Sequence, residues 1–166
     1  MYTIRHASVS DIPLIRELVF QVWPQTYRGL LSDAQIDYML EMMYSEASLR
    51  EQIGQGSRFI IIEEDGVPVG YAAFQEMEPS VFKLHKIYVL PSQQGKGTGR
   101  YMIDYITGEI SNEGATALQL QVNKKNRARF FYEKLGFRIL REFKVDIGNG
   151  YFMDDYLMEL TLPLTS

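Results

Sequence analysis

The segment from Gln94 to Arg100 combines glycine with positive charge in a pattern that suits phosphate binding. Glycine lets the backbone approach a ligand closely and adopt a positive φ. If a helix begins within the segment, the N–H groups of its first turn and its dipole attract an anion. Lys96 and Arg100 add positive charge. The sequence therefore predicts a phosphate or pyrophosphate site, the glycine loop, which consists of Gln94, Gly95, Lys96, Gly97, Thr98, Gly99 and Arg100.

The spacing of the three glycines separates this loop from the common nucleotide-binding loops. A P-loop needs a glycine, four further residues and then Gly-Lys-Ser/Thr, and a dinucleotide fingerprint needs Gly-x-Gly-x-x-Gly. Here the spacing is Gly-x-Gly-x-Gly, late in the chain. ATP or NAD binding is therefore not expected. Taken alone, the loop is equally consistent with a flexible turn between a strand and a helix.

Two further motifs flank the loop. Tyr88-Val89-Leu90-Pro91 precedes it, and Asn126-x-x-Arg129-x-Phe131-Tyr132-Glu133-Lys134-Leu135-Gly136-Phe137 follows it. Together with Gln94-x-x-Gly97-x-Gly99, these motifs resemble those of the GCN5-related N-acetyltransferase (GNAT) superfamily. The resemblance is strong from Arg58 to Phe137. It departs from the family pattern where Ala128 follows Asn126 by two positions rather than three.

The resemblance implies how coenzyme A would be bound. Backbone groups of Ile87, Tyr88 and Val89 would pair with the pantetheine arm like an added strand, and backbone amides of the glycine loop would hold the pyrophosphate. Asn126 would contact the pantetheine or order the next helix, since asparagine is also a good helix cap. The implied cosubstrate is acetyl-CoA, and the implied reaction is acetyl transfer to an amine.

Direct transfer to an amine needs a neutral amine, a donor for the tetrahedral oxyanion and a proton for the leaving thiolate. The resemblance implies that Tyr132 lies near the thioester sulfur as a general acid, and the alternative is an aromatic residue packed against the sheet. Histidine titrates near neutral pH, which makes His85 the candidate base, with a packed histidine as the alternative. Glu76 and Glu78 are further candidates that would act through water.

Two groups of residues bear on the acceptor. Asp154, Asp155 and Glu159 belong to the last predicted strand and could attract a cationic amine, although solvated carboxylates are the favoured interpretation. A second group either walls an acceptor pocket, as the resemblance implies, or forms core, which is favoured; it consists of Trp23, Tyr27, Tyr38, Met39 and Met42. The expected acceptor is a primary amine of a small molecule, with a preference for a cationic one, or a peptide N-terminus.

The apolar periodicity predicts the elements that must position these residues. The predicted strands are Tyr2–His6, Arg58–Glu64, Val67–Gln75, Phe82–Leu90, Leu118–Val122, Arg138–Val145 and Tyr151–Leu160. The predicted helices run from Ser10-Asp11 to Trp23-Pro24, onward from Ser32-Asp33, from Glu46 to Ile53, from Thr98 to Asn112 and from Asn126 to Leu135. This order predicts an α/β (α+β) fold, a GNAT-like three-layer arrangement with a mixed, mostly antiparallel sheet flanked by helices. A single domain of residues 1–166 is expected.

The composition limits the remaining classes of function. The 166 residues include no cysteine, which excludes disulfides, thiolate metal sites and a cysteine nucleophile, and the two histidines give no metal-site signal. The formal net charge of −4 lacks the basic footprint of a nucleic-acid-binding protein. No apolar run is long enough to span a bilayer, so neither nucleic acid nor a membrane is an expected partner, and a cytoplasmic location is the default expectation.

Two hypotheses from different classes remain. The first is an N-acetyltransferase, and the second is a non-catalytic acyl-CoA-binding or sensing domain. Tyr132 favours the enzyme because a pure binder does not need a proton donor. The acceptor, the acyl chain length, the base and the oligomeric state, with a homodimer among the options, stay open at this point.

Overall fold

A computed structural model describes residues 1–164, and this part contains seven strands and five α-helices. The strands are β1 (Tyr2–His6), β2 (Arg58–Glu64), β3 (Val67–Glu78), β4 (Val81–Val89), β5 (Ala117–Asn123), β6 (Arg138–Gly148) and β7 (Tyr151–Thr161). The helices are α1 (Ile12–Tyr27), α2 (Asp33–Tyr44), α3 (Glu46–Gly54), α4 (Thr98–Asn112) and α5 (Ala128–Lys134). Short 3-10 turns at Val9–Asp11 and Pro91–Gln93 precede α1 and the glycine loop.

The strands are hydrogen-bonded in the order β1-β2-β3-β4-β5-β7-β6. β4 and β5 run parallel, whereas the β1–β2, β2–β3, β5–β7 and β6–β7 pairs are antiparallel. The predicted α/β class with a mixed, mostly antiparallel sheet is thus confirmed. Contacts between Cα atoms divide the chain into two compact units. The first unit holds Met1–Gln75 and Lys86–Ile103, and the second holds Glu76–His85 and the residues from Asp104 onward; the single domain stays a prediction.

Strand β2 forms the centre of the first unit. Phe59–Ile62 is almost fully buried on both faces, which explains why this run is continuously apolar instead of alternating. The strand pairs with β1, with Ile62 opposite Ile4, and with β3 on its other edge. Asp65 and Gly66, with φ of 50° and 84°, turn the chain from β2 into β3, as the Asp-Gly pattern predicts.

Helix α1 differs from its predicted length. The sequence predicts an end at Trp23-Pro24, but the helix continues to Tyr27. Proline lacks a backbone N–H and its ring crowds the preceding turn, which normally ends or kinks a helix. Trp23 and Tyr27 are only 2% and 7% exposed, and their ring centroids lie 4.6 Å apart. Burial of these two aromatic side chains outweighs the local cost at Pro24.

Strand β5 lies between β4 and β7 in the second unit. Its residues Ala117–Leu120 pair in parallel with Val81–Leu84 of β4, and Ala117–Asn123 pairs with β7. Leu118, Leu120 and Val122 are buried, as their alternation with polar residues predicts. The parallel ladder ends at Leu84, although β4 itself continues to Val89.

Of the last two helices, α4 begins where predicted and α5 does not. α4 has the predicted bounds, Thr98–Asn112. α5 begins at Ala128, two residues later than predicted, and Gly136 with φ of 102° follows its end, as expected of a helix-terminating glycine. Within residues 1–164, no helix combines the length and apolarity needed to cross a membrane.

Candidate functional site

The glycine loop connects β4 to α4 within the first unit. Gln94–Gly97 forms a turn after Pro91–Gln93, and α4 begins at Thr98. Gly95 and Gly97 both have φ of 80°, a backbone region that L side chains adopt only with strain. A Cβ at either position would meet no atom within 4 Å. Glycine is therefore required here by the backbone conformation, and the surface of the loop is open.

The start of α4 supplies the electrostatic part of this site. The N–H groups in the first turn of a helix have no intrahelical acceptor and carry the positive end of the helix dipole. Gly99 is the second residue of α4, and the Lys96 and Arg100 side chains on either side of it are exposed. The loop therefore has the backbone donors and the two cations that an anion site requires, and the phosphate site itself stays a prediction.

A buried polar network supports the loop from the protein side. Gln93 and Thr98 are 4% and 1% exposed. Thr98 Oγ1 donates a hydrogen bond to Gln93 Oε1 at 3.0 Å and lies 2.7 Å from the phenol oxygen of Tyr2. Gln93 Nε2 donates to Glu64 Oε1 at 3.1 Å. The Thr98 hydroxyl thus makes its hydrogen bonds within the protein, so any contact of Thr98 with a ligand would come from its backbone.

Sequence reasoning missed Gln93. The signal was present as two adjacent glutamines, Gln93 and Gln94, of which the family pattern uses only the second. A buried amide is rarely found without partners because an unsatisfied one costs free energy. The burial of Gln93, and hence its structural role, depends on Tyr2 and Glu64, which are far away in sequence.

Ile87, Tyr88 and Val89 form the half-buried end of β4. A Cβ on Gly70 of β3 would lie 2.7 Å from the Tyr88 carbonyl oxygen and 3.1 Å from Val89 Cγ1. Only glycine permits this close approach of the two strands. The ladder between β4 and β5 has already ended at Leu84, so these three residues follow the last parallel pair.

An aromatic cluster occupies the core of the first unit and consists of Trp23, Tyr27, Tyr44, Tyr71 and Tyr88. The hydroxyls of Tyr27 and Tyr88 lie 2.8 Å apart, and those of Tyr44 and Tyr71 lie 3.0 Å apart. Burial raises the pKa of both Tyr44 and Tyr71 well above the ordinary value of a phenol. The buried Lys86 ammonium lies 5.1 Å from the centroid of the Tyr44 ring, a cation–π contact.

The five residues considered for an acceptor pocket do not form one uniform group. Trp23, Tyr27 and Met39 are buried, which confirms the core interpretation for these three. Tyr38 is half-buried, and Met42 is 38% exposed. Met42 therefore contributes to the surface of α2 and not to the core.

Asn126 and Tyr132 belong to the second unit. Asn126 lies two residues before α5, and its Oδ1 accepts a hydrogen bond from the Ala128 backbone N–H at 2.9 Å. This contact orders the start of the helix, the role that the sequence gave as one of two alternatives. Tyr132 is 8% exposed, with its ring centroid 5.7 Å from that of Phe137. Tyr132 thus has the aromatic packing that was considered as its alternative role, and packing of the ring is compatible with chemistry at the hydroxyl.

The candidate bases have different surroundings. His85 is half-buried near the end of the second-unit part of β4. Glu76 is exposed, and its Oε2 accepts a hydrogen bond from the Ser80 backbone N–H at 3.2 Å, across the turn from β3 to β4. Glu78 is exposed near the same turn. Glu76 therefore has a structural contact, and the identity of the base stays a prediction.

Asp155 corrects the favoured interpretation of the last strand. Asp154 is 54% exposed and pairs with the Lys124 ammonium at 3.1 Å, as a solvated carboxylate would. Asp155 instead is 1% exposed, and its Oδ1 has no hydrogen-bond partner among the described residues. Burial raises the pKa of Asp155 to about 6, with repulsion from Asp154 adding to the rise and attraction by Lys83 opposing it. Alternation along β7 was the signal that could have separated these neighbours.

The predicted site residues belong to both units. Ile87, Tyr88, Val89 and the glycine loop belong to the first, and His85, Asn126 and Tyr132 belong to the second. In residues 1–164, no group of three or more His, Cys, Asp or Glu side chains is arranged to hold a metal ion.

Two curated relatives give this arrangement a context. The L-methionine sulfoximine/L-methionine sulfone acetyltransferase of Salmonella typhimurium (strain LT2) is 28% identical over 166 residues, covering 96% of this chain and 94% of that protein. The ribosomal protein bS18-alanine N-acetyltransferase of Haemophilus influenzae is 32% identical over 100 residues, which are 59% of this chain and 64% of that protein. The second alignment therefore covers less than two thirds of the relative.

A solved structure and a family pattern complete the comparison. The PaiA N-acetyltransferase of Thermoplasma acidophilum, in complex with coenzyme A, superposes with a TM-score of 0.80 over 97% of this chain and 99% of that one. At 23% identity this similarity shows the fold alone. Residues 29–149, more than half of the chain, match the acetyltransferase (GNAT) domain. The chain therefore belongs to the GNAT family of N-acetyltransferase enzymes.

Proposed function

We propose that this chain transfers an acetyl group from acetyl-CoA to a primary amine of a small molecule or of a peptide N-terminus. The observation that carries the proposal is the glycine loop, where Gly95 and Gly97 adopt positive φ immediately before α4. A loop of this geometry suits the pyrophosphate of coenzyme A. Membership in the GNAT family makes coenzyme A a better match than other phosphate ligands.

The residues of the first unit fit the cosubstrate. Backbone amides from Gln94 to Arg100 would hold the pyrophosphate, and Lys96 and Arg100 would offset its charge. Backbone groups of Ile87, Tyr88 and Val89 would pair with the pantetheine arm, which is supported by the end of the β4–β5 ladder at Leu84. The hydrogen bond from Thr98 to Gln93 would help to hold the loop in the conformation that binds the pyrophosphate.

The residues of the second unit would perform proton transfer. When bound, acetyl-CoA supplies the acetyl group as a reactive thioester. His85 would take a proton from the amine so that its lone pair can attack, and the Tyr132 hydroxyl would donate a proton at the leaving sulfur. Asn126 would hold the start of α5, the helix that carries Tyr132.

The relatives support amines of two kinds as acceptors. The name of the Salmonella protein specifies amino-acid derivatives, and that of the Haemophilus protein specifies an alanine of a ribosomal protein. An α-amino acid and a peptide N-terminus both carry a primary amine on the carbon next to a carbonyl carbon. We accordingly include α-amino acids and peptides with an N-terminal alanine among the candidates for this chain, beside polyamines and amino-sugars.

The test is thiol release from acetyl-CoA across a panel of these amines, with CoA binding measured in parallel by calorimetry. Amine-dependent thiol release, with the acetylated amine identified by mass spectrometry, is the expected result. Tight CoA binding without turnover on any amine would favour the acyl-CoA-binding domain instead. Displacement of CoA by ATP or NAD at comparable affinity would overturn the assignment of the loop.

A further inference from the structure

Two opposite charges share one face of the second unit's strands. Lys83 on β4 lies opposite Gln119 on β5, and Asp155 on β7 lies opposite Asn123 on β5. Because alternate residues of a strand point to the same face, Gln119 and Asn123 lie on one face of β5, and Lys83 and Asp155 lie on that same face. Their charges attract each other, but no direct salt bridge joins them.

One oxygen of the Asp155 carboxylate has no hydrogen-bond partner among the described residues. Asp155 is 1% exposed and its Oδ1 accepts no hydrogen bond from the described residues. A buried charged oxygen without a donor costs free energy and is uncommon in native proteins. Buried polar groups without a protein partner are found at catalytic sites and where waters or ions bind, so the unused acceptor of Asp155 is a place where the donor of a ligand would fit.

The other charged groups near Asp155 do not supply that donor. Asp154, on the same strand, faces Lys124. Glu159, on the same face of β7, accepts a hydrogen bond from Gln119 Nε2 at 2.9 Å. On β6, Asp155 is opposite the neutral Phe143, with the exposed Arg141 two residues earlier. On β4, His85 follows Lys83 on the same face.

We propose, building on the acetyltransferase function above, that this charge pair selects a zwitterionic α-amino acid as acceptor. The ammonium group of the amino acid would donate to Asp155 Oδ1, and its carboxylate would bind the Lys83 ammonium. An α-amino acid carries an ammonium and a carboxylate on one carbon, and these charges are opposite in sign to those of Asp155 and Lys83. A simple cation would instead be repelled by Lys83.

The energetics of the pair support this arrangement. Burial lowers the pKa of Lys83 and raises that of Asp155, so each charge gains from a partner of opposite sign. Lys83 is half-buried, and its flexible stem allows the ammonium to follow a carboxylate. Hydrogen bonds to charged groups are the stronger kind. The amine bound at Asp155 would then lose its proton to the base proposed above.

The test compares four acceptors and four variants. The acceptors are an α-amino acid that the enzyme acetylates, its amide, its decarboxylated amine and a diamine. The variants are Asp155→Asn and Lys83→Met, with Asp146→Asn and Lys125→Gln as matched exposed controls. KM and kcat are measured for each combination of acceptor and enzyme variant. Binding of the amino acid to the enzyme–CoA complex is measured by calorimetry.

We expect each of Asp155→Asn and Lys83→Met to raise the KM for the amino acid about 10-fold or more, with kcat largely retained. Lys83→Met should remove the preference of the amino acid over its amide, and the two controls should behave as wild type. Equal KM for acid and amide in wild type, or unchanged KM in Asp155→Asn, would overturn the proposal. A preference for the diamine would also overturn it, in favour of a cationic acceptor.

The outcome is separable from that of the proposed function. If wild type releases thiol with amines but shows neither effect, the acetyltransferase assignment stands and the amino-acid site fails. If no amine supports turnover, calorimetry still decides whether the amino acid binds and whether Asp155→Asn abolishes that binding.

Discussion

The hydroxyl of Thr98 lies 2.7 Å from the phenol oxygen of Tyr2, although 96 positions separate the two residues. Thr98 is the first residue of α4, and Tyr2 begins β1. The contact ties the start of α4 to an outer strand of the same unit. Gln93 accepts a hydrogen bond from the same Thr98 hydroxyl, so the loop between Gln93 and Thr98 is fixed at both ends.

The first prediction tests this support. Tyr2→Phe removes a hydroxyl from a partly buried network, and a hydrogen bond of this kind contributes about 1 kcal/mol. We expect the dissociation constant for CoA to rise about fivefold, measured by calorimetry. The control is Tyr101→Phe, because the Tyr101 hydroxyl donates to the Tyr2 carbonyl oxygen, at 3.4 Å, and not to the Gln93 or Thr98 side chain. Equal weakening in both variants would contradict a specific role for the Tyr2 hydroxyl.

The second prediction concerns the backbone of the loop. Gly97→Ala forces an L side chain to a φ of 80°, which should lower the free energy of unfolding by about 1 kcal/mol and weaken CoA binding. Gly108→Ala is the matched control, because Gly108 lies inside α4 with no atom near its Cβ position. It should raise stability by about 0.8 kcal/mol. Urea unfolding measures both, and effects of the same sign would refute the conformational argument.

The third prediction tests the proposed acid. Tyr132→Phe keeps the ring that packs against Phe137 and removes only the hydroxyl. We expect kcat to fall about 100-fold, as is typical when a general acid is lost, while CoA affinity and thermal stability change little. Tyr105→Phe removes a half-buried phenol from α4 and serves as control. Wild-type turnover in Tyr132→Phe would show that Tyr132 has a packing role and is not the general acid.

The fourth prediction tests the proposed base. His85→Ala should lower kcat/KM and abolish the acidic limb of its pH profile, because the group that accepts the amine proton would be gone. Glu76→Gln is the control, since its side chain already bonds the Ser80 backbone. If the profile of His85→Ala keeps the wild-type shape, the base is another group or a water relay.

The fifth prediction follows from the raised pKa of Asp155, about 6 against an ordinary 3.8. The folded state holds the Asp155 proton more tightly than the unfolded chain does. Asp155 therefore lowers the free energy of unfolding as the pH rises from about 4 to 6, and above pH 6 that free energy stays at the lower value. Asp155→Asn lacks this dependence. The difference in unfolding free energy, variant minus wild type, should therefore increase over this pH range in chemical denaturation. A flat difference would contradict the burial of the Asp155 charge.

Local patterns predicted most of the elements. β1 and β2 have their predicted bounds because alternation and continuous β-branched residues are strong signals, and Asp65-Gly66 specifies its turn by backbone sterics alone. The errors lie where distant packing competes with a local signal. α1 passes through Pro24 because Trp23 and Tyr27 are buried, and no local rule states that burial.

The glycine loop shows what the sequence by itself determined about this protein. Glycine at 95 and 97 and a helix start at Thr98 are local properties, since positive φ and exposed helix N–H groups depend only on neighbouring residues. The motifs around them were sufficient to indicate the family.

Tertiary structure decided which polar side chains are buried. Gln93 and Gln94 are identical neighbours, as are Asp154 and Asp155, yet one member of each pair is buried and the other is exposed. Sequence gives both members the same chemistry, whereas desolvation depends on the elements packed around each of them. Because of that difference in burial, Gln93 supports the loop through hydrogen bonds, and the carboxyl group of Asp155 has a raised pKa and an oxygen without a hydrogen-bond partner.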